Sequence, residues 1–534
     1  MMQLFYSEWK TYRRETSIPM QILVLVGILL AVILGIQGLY GHIVFTYDQA
    51  RDALQAYSIW HDHNIKLLGP ATDIPGLFHG VLWYYLLAAA YFILRTPTAV
   101  VVVLFTISIG TVCLVGILAQ RIFHDTRVTS IAMLLYAFSP LFQTASRWLS
   151  NPVVSFLVTP LLLLGMWEYA RKQHTRYSLL IGISFGLMIQ SEFAFLLLLI
   201  FLPFYMLIFH IPWRVKHILT FFVGIGSLVS TFLLAEIKFH GQGIRGALQF
   251  LHSGSTTHES FFSSISSTWH RVIDLFTTSF FSLPEAVWFL ICIFCIAVGI
   301  YYTKSQYRKG IHFLALWIGT LCLFLLFHTG ISSSSFLFFP YLVPLVILVS
   351  FVLGKFFKPS IVLLLVVMSI LLLEGKSTYS YIASNTSPLP AQQGATITSA
   401  KDVVMSTYVL AHGQPFTINT ITNPLYINST WAYLYTTYGL PHFGYLPYFA
   451  GRSQVGQLGY LPEKQFVTPL RFLIIEPTDG IPTVYVTKIT YEEDMVSDLI
   501  QEKHFGRYIV QERMFHKNKA VPPLPKELEG SNNL

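Results

Sequence analysis

Long uncharged runs alternate with short polar breaks along most of this chain. They fall at 18–41, 97–120, 128–146, 152–167, 177–191, 193–209, 218–235, 286–303, 311–327, 336–354 and 359–373. A hydrocarbon core of about 30 Å takes ~20 apolar residues, so each run crosses it or nearly does with tilt. The pattern predicts eleven membrane-spanning helices. A further apolar run at 81–94 is shorter and reads as an interfacial or re-entrant segment on the outer side. After 375 the pattern changes. Residues 376–397 are rich in Ser, Thr, Asn, Ala and Pro and read as a linker. Residues 401–413 read as a helix stopped at Gly413, and 415–421, 471–477 and 483–489 are β-rich enough for strands.

The predicted fold class is an α-helical polytopic membrane protein with a C-terminal extracytoplasmic α/β domain. Its expected domains are a membrane domain at 1–375 with outer loops 42–96 and 236–284, a linker at 376–397, an accessory domain at 398–515 and a disordered tail at 516–534. Composition agrees: 54% of the 534 residues are hydrophobic and 11% charged, against roughly 25% charged in soluble domains. All four cysteines lie inside apolar runs, which excludes a disulfide framework or thiolate zinc site in the soluble parts. The Cys292/Cys295 pair therefore reads as helix packing.

Charge sets the expected orientation. With the N-terminus inside, short inner loops collect 15 Lys/Arg, from Lys10 to Lys358, whereas the longer outer loops up to the last span hold seven. Basic residues favour the cytoplasmic side, so eleven spans put the C-terminus outside. The net charge of +8 is thereby accounted for without nucleic-acid binding. The same topology gathers loop 42–96, the turn from Arg147 to Asn151, Gln190-Ser191-Glu192, loop 236–284 and everything after about 375 on the outer face.

Charges at the mouth of a membrane segment are costly unless they line a polar cavity. The first outer loop opens with Asp48, Arg51 and Asp52 and closes with His79 ahead of Trp83-Tyr84-Tyr85. Glu236 ends an apolar helix, where a negative charge opposes the helix dipole. Blander roles stand beside these. Asp48 also fits as a helix cap, Arg51 as a snorkelling cation, Asp52 as a solvated charge, Glu192 as a turn residue and Arg147 as an interfacial anchor. His61-Asp62-His63 reads as exposed loop.

In order, Asp48-Gln-Ala-Arg51, His79-Gly80-Val81-Leu82-Trp83-Tyr84-Tyr85, Ser146-Arg147 with Asn151-Pro152, Gln190, and Glu236-Ile237-Lys238-Phe239-His240-Gly241 form a pattern. It resembles the GT-C membrane glycosyltransferases, more narrowly the protein O-mannosyltransferase and aminoarabinose transferase superfamily, over roughly 15–375. Relatives carry Lys-Pro-Pro-Leu where this chain has His79-Gly80-Val81-Leu82. The resemblance implies inverting transfer of a sugar from a polyprenyl-phosphate carrier to a lipid, glycan or protein acceptor outside the plasma membrane. Asp48 is then the candidate base, and Arg51, His79, Lys238 and Arg147 the candidate phosphate contacts. Asp52, Asn151, Gln190 and Tyr84 would support the site or bind acceptor. Glu236, His240 and Glu192 would hold a divalent metal or orient the cations. The alternatives are a multi-span transporter or flippase, and a polymerase or ligase of lipid-linked glycans. A transporter tends to place charges or broken helices at mid-membrane, whereas here they gather at span ends.

Overall fold

The structure is a computed structural model describing residues 14, 18–39, 43–72, 74–94, 99–212, 214–252, 261–281, 283–302, 305–327, 335–357, 361–384, 392–463 and 468–516. The membrane part begins with α1 (Ile18–Leu39), α2 (Tyr47–His61), α3 (Leu82–Leu94), α4 (Ala99–Phe123), α5 (Thr126–Phe138) and α6 (Pro140–Ala145). It continues with α7 (Val154–Lys172), α8 (Thr175–Ser191), α9 (Phe201–Ile208), α10 (Val215–Lys238), α11 (Gln242–His252) and α12 (Phe261–Ser279). It ends with α13 (Glu285–Tyr302), α14 (Arg308–Phe327), α15 (Phe339–Phe356) and α16 (Ile361–Ala383). The C-terminal part contains α17 (Ile397–Ala411), β1 (Phe416–Ile421), α18 (Ser429–Leu434), α19 (Leu440–Phe443), β2 (Tyr448–Phe449), β3 (Leu470–Ile475), α20 (Thr483–Asp494), β4 (Ser497–Phe505) and β5 (Tyr508–Phe515).

Among the described residues, six helices are long and apolar enough to cross a membrane, within α4, α7, α10, α13, α15 and α16 and the short turns that lead into them. Two predicted runs are interrupted. The run 128–146 breaks at Ser139 because Pro140 starts a new helix and disfavours helical geometry before it. The run 193–209 begins as a 3-10 helix, Phe193–Ile200, before α9. The 81–94 segment is helical and buries Trp83, Tyr84, Leu87 and Tyr91 while exposing Phe92 and Ile93. Where α8 meets α10 the backbones nearly touch. A Cβ at Gly182 would lie 2.2 Å from the Phe221 carbonyl oxygen, and one at Gly224 2.7 Å from that of Leu179. Small residues permit such close helix approach.

Two groups of loop contacts stand out. In one, the buried Glu168 faces Lys172 at 2.5 Å, Arg121 at 3.5 Å and Arg171 at 3.7 Å. Nearby in sequence, Asp125 pairs with Lys355 at 2.5 Å, which also meets the Tyr307 hydroxyl. These are loops expected inside. In the other, residues 43–46 bridge to Trp148 and Thr396, and Gly80 bonds to Gln190.

The C-terminal sheet has the order β2-β1-β3-β5-β4, with β1 parallel to β2 and β3, and β5 antiparallel to β3 and β4. α17 stops as predicted, with His412 and Gly413 left-handed. Two expectations need correction. Residues 483–489 are not a strand but the start of α20, which lays Ile489 and Glu493 inward; burial overrides β propensity. The linker does not begin at 376, because α16 runs unbroken to Ala383 with Thr378 and Ile382 buried. The predicted tail lies outside the described residues from 517 on. The buried hydrophobic core is continuous between the two parts, as Phe45 and Tyr91 both pack on Tyr433.

Candidate functional site

Residues 43–46 deliver the site. Phe45 N–H donates to the Ala395 carbonyl at 2.9 Å and Ile397 N–H to the Ile43 carbonyl at 3.1 Å, which pins the start of α2 between the two parts. The helix is capped by Thr46, not Asp48. Gln49 reaches back to accept from the Thr46 N–H at 3.0 Å and its hydroxyl at 2.6 Å, a capping-box arrangement. Asp48 is thus free for another role, and the cap reading fails.

One turn along α2, Arg51 joins two carboxylates. Its Nη1 lies 2.7 Å from Asp48 Oδ1, while Nε and Nη2 donate to Asp52 Oδ1 at 3.0 and 2.9 Å. Trp83 Nε1 donates to Asp52 Oδ2 at 2.9 Å, and the Tyr84 hydroxyl also interacts with Arg51. The two acids are not equivalent. Asp52 is 2% exposed and Asp48 39%. Burial, opposed by Arg51 and reinforced by Asp48, pushes the Asp52 carboxyl up to about 6. Burial also works against the Arg51 charge, but Asp52 and Asp48 together hold its pKa above the ordinary value. Asp48 opens into a cleft of about 380 Å³ walled by Trp148 and by Gln392, Asn423 and Asp479 of the C-terminal part.

His79, Gln190 and Glu236 form a second neighbourhood. His79 Nδ1 accepts from the Phe193 N–H at 3.3 Å and lies 3.5 Å from Glu192 Oε1. Burial and the Arg51 charge push its pKa down to about 4, so near neutral pH it is an uncharged imidazole. Any phosphate contact at His79 would therefore be a hydrogen bond from a neutral ring and not an ion pair. Gln190 Oε1 accepts from the Leu82 N–H at 3.2 Å, and its Nε2 donates to the Leu228 carbonyl and Thr231 hydroxyl, both at 2.6 Å. Gln190 and the buried Asn151, which donates to the Ser191 carbonyl, therefore position backbone. His79 and Glu236 line one narrow space of only about 30 Å³.

The expected metal set does not assemble. Among the described residues no group of three His, Cys, Asp or Glu is placed to hold a metal ion. Glu236 accepts from the Ile244 N–H at 3.3 Å, Glu192 faces His79, and His240 is a left-handed residue whose carbonyl accepts from Arg245. Lys238 is exposed at the end of α10, its ammonium over the Phe239 ring. Arg147 is 3% exposed, and its Nε has no hydrogen-bond partner among the described residues. Burial draws its pKa down to about 10. Gln392, Asn423 and Asp479 escaped sequence reasoning, because no local pattern ties a residue between 392 and 479 to one at 48.

A polytopic membrane protein with a charged cleft under a C-terminal α/β part is the class these features define. Its fold is similar to that of ArnT. The crystal structure of ArnT from Cupriavidus metallidurans bound to undecaprenyl phosphate matches with a TM-score of 0.59 at 10% identity, covering 92% of this chain and 98% of that one. The apo state of the same protein matches with a TM-score of 0.58 at 11% identity and the same coverage. Residues 79–235 match the family described as dolichyl-phosphate-mannose-protein mannosyltransferase. No curated protein matches the chain. The resemblance read from the sequence is borne out in fold.

Proposed function

We propose that the chain transfers a sugar from a polyprenyl-phosphate carrier to an acceptor hydroxyl or amine on the outer face of the membrane. One observation carries this reading: Asp48, backed by Arg51 and Asp52, opens into the cleft between the two parts of an ArnT-like fold. The acceptor atom attacks the anomeric carbon and gives its proton to Asp48, while the bond from that carbon to the phosphate oxygen breaks. A general base must stand within hydrogen-bond reach of that proton, which an exposed carboxylate on the cleft wall can do. The departing phosphate gains negative charge, which the partly buried Arg51 and the buried Arg147 are suited to stabilise.

The chain around Arg147 supports the carrier's placement. Ser146 lines an apolar groove of about 80 Å³ among α1, α4, α5 and α6, and Trp148 lines the Asp48 cleft. The turn thus joins a lipid-compatible surface to the polar site. The test is sugar transfer from a polyprenyl-phosphate donor, normalised to folded protein. Asp48→Asn keeps size but removes basicity, so turnover should fall by about 10²–10⁴-fold with donor binding nearly unchanged. Full activity in that variant would remove Asp48 from the mechanism.

A further inference from the structure

A second polar cavity, of about 330 Å³, lies wholly within the C-terminal part between the sheet and α20. Its size falls at the lower end of the roughly 300–1,000 Å³ range of small-molecule sites. Its floor is a buried network. Arg471 Nη2 donates to Glu493 Oε1 at 2.7 Å and Nε to Oε2 at 3.2 Å, and Asn419 Nδ2 donates to Glu493 Oε1 at 2.6 Å. Arg471 and Glu493 are 7% and 5% exposed. A buried ion pair is a poor source of stability, since desolvation offsets much of its attraction. Here it faces a cavity rather than packed apolar side chains. At the rim Arg452 Nη2 meets Glu492 Oε1 at 3.0 Å, and Tyr426 is held at φ 66°. That backbone region is unusual for a bulky side chain, and such strain concentrates at ligand sites.

We propose that this cavity binds a neutral saccharide unit. Two arginines balance two glutamates, so the walls carry no net charge to select an ion. Arg and Asn supply donors, Glu and Asn supply acceptors, and a pair of vicinal hydroxyls can satisfy both kinds at once. Tyr426, which lines the cavity, adds an aromatic side chain of the kind that suits the C–H side of a pyranose. The segment between β1 and α18 walls both this cavity, through Tyr426, and the Asp48 cleft, through Asn423 and Pro424. A glycan seated here can therefore extend toward the cleft. The proposal rests on the transfer reading only for the source of that glycan.

A diazirine-bearing mannoside, photolysed with the full chain in nanodiscs and mapped by mass spectrometry, tests it. Label should fall on the segments carrying Asn419 to Tyr426 and Glu492 to Val496 and be displaced by free hexose. It should drop several-fold in Arg452→Ala and in Glu492→Gln, both rim changes, and persist in Asp48→Asn. Label that is absent, displaced by inorganic phosphate instead of hexose, unaffected by the rim variants or confined to the Asp48 cleft overturns the proposal. Full transfer activity in Asp48→Asn with labelling intact would sink the mechanism but leave this site standing.

Discussion

Asp48 and Asp52 stand one helical turn apart by sequence spacing alone, and the sequence could not rank them by burial. The ranking comes from Trp83, 31 residues beyond Asp52, whose indole closes over it. This makes Asp52 a pH-sensitive support. Its carboxyl sits at about 6 in the folded chain against an ordinary 3.8, so the native state binds a proton that the unfolded state releases. Its contribution to stability therefore falls as pH rises from about 4 to about 6. Once Asp52 is protonated, Arg51 keeps only Asp48 as a charged partner, and the paired arrangement behind the cleft is lost. Transfer should decline on the acid side of about pH 6, and Asp52→Asn should abolish that limb and leave a low, flat profile. A limb unmoved by Asp52→Asn in the pH–rate profile would assign it to another group. Arg51 was legible from the Asp-x-x-Arg spacing. The charge state of His79 was not legible, because it depends on Arg51 and on burial.

At the scale of elements, the uncharged runs located the helices well and their ends less well. The predicted last span stops at 373 because Glu374 is charged, yet α16 continues through it. Both Glu374 carboxyl oxygens are buried without hydrogen-bond partners among the described residues. Such a group costs stability whichever form it takes. Glu374→Met should raise the melting temperature, worth about 1–3 kcal/mol, without changing transfer; loss of transfer would show that the carboxyl serves the reaction. Gly80 is a contrasting case. A Cβ there would lie 1.9 Å from Gln190 Oε1 and 2.7 Å from its Cα, so the segment carrying His79 can seat only through glycine. Gly80→Ala should cost about 1–3 kcal/mol by overpacking. Gly226→Ala, with nothing within 4 Å of its new methyl, should be neutral or slightly stabilising. Equal melting shifts for the two would contradict the contact. Nothing in the sequence pairs Gly80 with Gln190, since 110 residues separate them.

At the scale of the molecule, composition marked where the membrane part gives way to the α/β part, and it invited the expectation that 398–515 folds alone. In the structure that part shares its buried core with the membrane part. Residues 43–46 run between Trp148 and Thr396 as a shared strand-like strip. The Ser429 hydroxyl donates to the Tyr47 carbonyl at 3.1 Å, and Tyr433, fully buried, has its ring 5.5 Å from Phe45 and its hydroxyl against Tyr91. Both Tyr47 and Phe45 come from the segment that positions Asp48. Cut free, the C-terminal part would expose Tyr433 and the α18 face around it, apolar area worth roughly 25 cal/mol per Å². The sheet itself survives intact on paper, because every strand pairing lies within 416–515. The contest is between a complete sheet and an opened core. Domains of this size are only marginally stable, so loss of one large aromatic contact region weighs heavily. Residues 392–516 expressed alone should therefore melt without a sharp cooperative transition and bind a hydrophobic dye. Restoring a tethered 43–61 segment should sharpen the transition. A sharp, reversible melt of the isolated piece would show that the shared core is a docking surface between two independent units.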